Sequence, residues 1–124
     1  MVAFVLALEF FGIACRDSNR EPPPQIVRPS ELRDYGLSVS FQFLKRQSWY
    51  ESPRIFGALA NNSSVTYSRI WLILNLYDND NAVVRKEWIS LDFVSPGEKR
   101  RIDYKMHYDA TVQAVELSEV RLIR

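Results

Sequence analysis

The sequence predicts an all-β fold, an antiparallel sandwich of six to seven strands. Three observations carry that expectation. Apolar residues recur with period two or in short unbroken runs, turn residues interrupt them every ~8 to 12 positions, and no segment keeps the apolar spacing of a long helix. The third observation excludes parallel α/β folds, in which a helix crosses over between successive strands.

The chain opens on "MVAFVLALEFFGIAC", residues 1 to 15, an apolar run that ends in Cys15, the one cysteine. The run is too short to span a bilayer, which takes ~20 apolar residues. It reads as an export signal handing over to a linker, or else as a buried strand or helix with Cys15 a core thiol. "RDSNREPPPQIVRPS", residues 16 to 30, contains four of the six prolines. With the residues up to 36 it is expected to be an extended Pro-rich tether. Inside it, "SELRDYG" has Ser30 placed to cap one helical turn and Gly36 placed to stop it.

The folded domain is expected over residues 37 to 124. "LSVSFQFLK" alternates Leu37, Val39, Phe41 and Phe43 with polar residues, as a strand with one buried face does. "RIFGALANN" sets Ile55, Gly57, Leu59 and Asn61 on one face and Phe56, Ala58 and Ala60 on the other. "SRIWLILNLYD" is apolar on both faces, which fits a central strand. Ile70, Leu72, Leu74 and Leu76 would face the core, with Trp71, Ile73 and Tyr77 behind them. "DNDN", residues 78 to 81, turns the chain into "AVVRKEWISLDF", and "SPGEK" turns it again. "RRIDYKMHY" and "AVELSEVRLIR" complete the set, the last with Val115 and Leu117 and then, after a shift of phase, Val120 and Leu122. Strand number and turn spacing are those of an immunoglobulin-like sandwich. Burying a side chain such as Ile70 or Leu74 contributes roughly 1.5 to 3 kcal/mol, so a dozen of them sustain the fold without disulfides.

Charge narrows the functional classes. Lys and Arg total 16 and Asp and Glu total 15, a formal net charge of +1, so no long-range field draws the whole chain to nucleic acid. A single cysteine excludes an internal disulfide framework and, in a monomer, a multi-Cys zinc site. His107, the only histidine, follows Met106 directly, and the two point to opposite faces of a strand, so they cannot grip one copper ion together without a bulge. Asp78 and Asp80 start like a calcium loop, but Val83 and Ile89 stand where that loop needs Gly and a bidentate Glu. The stretch therefore reads as a hairpin turn, with Asp78 and Asp80 kept as a weak candidate cation site. Glu116 and Glu119 read as solvated charges, and "EKRR", residues 98 to 101, as a solvated edge. No phosphate loop or nucleophile motif is present, and no catalytic residue, metal or cofactor is expected. Trp49, Tyr50, Trp71, Tyr77 and Trp88 remain. A cross-strand pair of Trp71 with Trp88, with Tyr77 on the same strand, makes the candidate interaction surface; the alternative is that both sandwich faces are covered or that these rings cap the second sheet.

Two resemblances add to this reading. "LNLYD", Leu74 to Asp78, resembles the motif that names the FxLYD domains, with Leu74 in place of Phe. "IFGALANNSS" looks like that family's V-x-G-x-V-x-N-x-S strand, "DNDNAVV" like its D-x-D-G-x-V-V turn with Asn81 for Gly, and "SPGEKRRI" like its P-G-E turn. The resemblance covers residues 37 to 124 and implies an immunoglobulin-like sandwich, often exported or membrane-attached, with no catalytic residue to carry over. The approach to Cys15, with Ala14 before it, resembles a bacterial lipoprotein signal, which implies lipidation of Cys15 and a membrane anchor. The function expected is thus a non-enzymatic, exported and lipid-anchored module facing a protein or cell-envelope partner, with no nucleic acid and no implied oligomeric state. A module binding a small ligand, a carbohydrate or a cation is the alternative.

Overall fold

The computed structural model describes residues 23–45, 52–106 and 111–124, which form seven strands and one short 3-10 helix. Two antiparallel sheets pack as a β-sandwich. The four-stranded sheet runs β1 (Gln25–Val27), β7 (Ala114–Ile123), β4 (Tyr67–Tyr77), β5 (Val83–Val94), and the three-stranded sheet runs β2 (Leu37–Leu44), β3 (Arg54–Asn61), β6 (Lys99–Lys105). The segment 1–15 with Cys15, the aromatic residues Trp49 and Tyr50, and His107 lie outside the described residues.

β4 is central: its inner side chains are buried and its outer ones are at most partly exposed. Ile70, Leu72, Leu74 and Leu76 are buried against Leu37, Ile55, Leu59 and Ile102 of the other sheet, and Ile73 on the outer face is buried as well. The alternation expected for β3 holds, with Ile55, Leu59 and Asn61 buried and Phe56 exposed. In β7 the pairing with β4 shifts between Ile73 and Leu74, which leaves Ser118 as the extra residue of a bulge. That is the phase change between Leu117 and Val120. Both then face the core strand, opposite Leu74 and Leu72.

The tether expected over 16–36 needs correction from Gln25 onward. β1 pairs with the end of β7, Val27 opposite Val120, and Val27 is fully buried. A 3-10 helix follows at Pro29–Tyr35 and places Leu32 in the core. Its cap is Arg28 rather than Ser30, since the Arg28 N–H donates to Glu31 Oε1 at 3.1 Å. Pro29 takes the first helical position, where its missing N–H would have had no partner. Gly36 stops the helix as expected, at φ 72, and a Cβ there would come within 2.6 Å of Ser63 Cβ. The physical reason for the difference is that β7 offers a free edge, which three residues suffice to cover.

Candidate interaction surface

Two hairpin strands, β4 and β5, form part of the outer face of the four-stranded sheet. The turn between them is closed by its own groups. Asp78 Oδ1 accepts the N–H of Asp80 at 2.8 Å and of Ala82 at 3.0 Å, and the Asp78 N–H donates to Ala82 O at 3.0 Å. Asn81 sits at φ 61, a left-handed position that Asn tolerates better than other non-glycine residues. Among the described residues no group of three or more His, Cys, Asp or Glu is placed to hold a metal ion.

This turn fixes the register of β4 on β5, with Trp71 opposite Ser90 and Ile73 opposite Trp88. Trp71 and Trp88 are therefore diagonal neighbours on one face. Their rings meet edge to face, centroids 6.4 Å apart at 69°, an arrangement worth ~0.5 to 1.5 kcal/mol beyond buried area. The Arg69 guanidinium lies 5.4 Å from the Trp71 centroid and that of Arg121 lies 4.8 Å from Trp88. Asp92 holds Arg69 at 3.1 Å and Glu119 holds Arg121 at 2.7 Å, so the ring pair carries no net charge around it. Trp88 stays 46% exposed.

Tyr77 is not part of this cluster. It lies six residues along β4, ~20 Å from Trp71 at strand rise, and its O–H donates to Glu116 Oε1 at 3.2 Å. It lines a separate depression with Asn81, Ala114 and Val115 beside the turn.

Phe93 belongs at the other end of the face, and period two alone would have sent it into the core beside Ile89 and Leu91. Instead its φ is 52, the alternation inverts, Val94 enters the core, and Phe93 is 70% exposed. Arg100 holds this shape by donating to Asp92 O and Phe93 O, both at 3.2 Å. Glu98 in turn accepts from Arg100 Nε at 2.8 Å and from the Ser95 N–H at 2.9 Å. The Ser95 N–H and then Arg100 keep the Glu98 carboxyl below its ordinary pKa. A left-handed aromatic residue has no signature in the sequence.

Between the sheets, the Tyr104 O–H donates to Glu87 Oε2 at 3.0 Å, and Arg85 holds Glu87 Oε1 at 3.1 Å. Burial, followed by the bond to Glu87, pushes the Tyr104 phenol up from its ordinary pKa. No family model matches the chain, and no curated protein or solved structure matches it.

Proposed function

We propose that the chain is a non-enzymatic, immunoglobulin-like module of the FxLYD kind, exported and anchored through a lipid on Cys15. It binds a protein or cell-envelope partner through the outer face of its four-stranded sheet. The observation that carries this reading is the half-exposed Trp88, locked edge to face on Trp71 and flanked by paired Arg69 and Arg121. A rigid aromatic anchor rimmed by satisfied charges binds with little loss of side-chain freedom. Phe93 extends the same strand with a second exposed aromatic ring.

Capture from a cell-envelope extract tests the face. The wild-type chain should retain a partner that Trp88→Ala loses while its melting curve stays cooperative. Equal capture by both proteins would remove Trp88 from the site. Metabolic lipid labelling tests the anchor separately: label should enter the wild type and not Cys15→Ser, and an unlabelled wild type would refute it.

A further inference from the structure

We infer that the outer face of the three-stranded sheet docks on an anionic lipid surface. The register of β3 on β6 sets Arg54 beside Lys105, Phe56 beside Asp103, Ala58 beside Arg101 and Ala60 beside Lys99, with all four basic side chains exposed. Asp103 engages Arg54, and among the described residues Lys99, Arg101 and Lys105 have no carboxylate partner. Among the described residues this face thus carries four cations and one anion. The opposite face of the sandwich is balanced, since Arg69, Lys86 and Arg121 stand among Asp92, Glu116 and Glu119. With a net charge of only +1 for the chain, positive charge is segregated onto one side.

The apolar residues on this side select the kind of polyanion. Phe56 lies under Arg101, whose guanidinium is 5.0 Å from the ring centroid, and Leu44 stands opposite Arg54 in the next row. They are 37% and 46% exposed. At a bilayer surface the cations meet lipid phosphates while the apolar tips enter the headgroup layer. A nucleic-acid backbone would use the cations and leave Leu44 without a partner. The proposed anchor contributes proximity only: the stretch from Cys15 to Gln25 reaches at most ~35 Å, which keeps the sandwich close to the membrane. The face itself needs no acyl chain to bind.

The test uses the full chain carrying Cys15→Ser, so that no lipid is attached, and flotation with vesicles of phosphatidylcholine alone or mixed with phosphatidylglycerol. The protein should float with the mixed vesicles more than with the neutral ones, and the difference should shrink as salt is added. Each Lys or Arg near such a surface is worth about fivefold in partitioning, so Lys99→Gln/Arg101→Gln/Lys105→Gln should lose on the order of a hundredfold. The three side chains are exposed, and an unchanged melting curve would show that the variant is folded. Because residues 1 to 22 are common to both proteins, their own membrane affinity cancels. Equal flotation of the two proteins, or equal flotation with the two vesicle types, would overturn the inference. So would retention of a DNA duplex, lost in the triple variant, in place of vesicle binding. None of these outcomes touches the Trp88 and Cys15 tests of the preceding section.

Discussion

Asn61 is fully buried, and every hydrogen-bonding group it has is used. Its Nδ2 donates to Val65 O at 2.8 Å and Val94 O at 3.2 Å, while Oδ1 accepts from the Ser63 N–H at 3.0 Å and from Ser63 Oγ at 2.6 Å. Its backbone N–H donates to Glu98 O and its carbonyl accepts from the Gly97 N–H. One side chain therefore ties the end of β3 to the end of β5 across the sandwich. Asn61→Ala should cost about 3 kcal/mol, because it leaves buried carbonyls without donors, and the urea midpoint should fall accordingly. Asn61→Asp should be no better, since it turns an oxygen toward the carbonyls of Val65 and Val94. A midpoint unchanged in either variant would show that water replaces these bonds. Phe93 poses the opposite case. Its left-handed backbone costs an L-residue roughly 1 to 2 kcal/mol that Gly does not incur. Phe93→Gly should therefore melt no lower than the wild type, and about 1 kcal/mol more stable is the expectation, while partner capture falls. A lower melting midpoint would mean that the exposed ring stabilises the fold and that its strain serves packing.

At the scale of elements, β5 is a long edge strand, and its twelve residues would invite another chain to pair. Two devices act against that. Arg85 and Glu87 point inward and are joined to Tyr104 of the other sheet, so a strand added at this end would have to accommodate a charged pair. At the other end Arg100 occupies the carbonyls of Asp92 and Phe93. The Glu98–Arg100 clamp makes this second device sensitive to acid. Glu98 has a lowered pKa in the folded protein, so its contribution is present above the pKa of the unfolded chain and is lost as pH falls through the folded value. Glu98→Gln should thus lower the melting midpoint at neutral pH and converge on the wild type as the solution is acidified below the ordinary carboxylate range. Parallel curves for the two proteins at all pH values would show that the carboxylate charge plays no part. Tyr104 works in the other direction: its raised pKa means that its contribution holds through neutral pH and is lost only as pH rises through the folded value.

For the whole molecule, the sandwich was readable wherever a strand carried its own alternation. Ile70 to Leu76, Ile55 to Asn61 and even the phase change in β7 follow from side-chain period alone, and the Trp71–Trp88 contact follows once the Asp78 turn sets the hairpin register. Three things were not readable. Phe93 inverts its strand because a residue on another sheet grips its carbonyl, and the segregation of charge appears only when β6 is laid beside β3. β1 is too short for any period, and its place depends on the free edge of a strand almost a hundred residues later. The last of these gives the sharpest test of the architecture. If residues up to 36 were a tether, a carboxylate at either position 25 or position 27 would be harmless. In the sandwich, Gln25 is exposed and Val27 is completely buried against the core that includes Val120. Gln25→Asp should leave the melting midpoint within the small range of surface changes. Val27→Asp buries an unpaired charge and should cost about 3 kcal/mol, a fall on the order of 10 °C in Tm. Two variants with the same Tm would return β1 to the tether and leave the edge of β7 open.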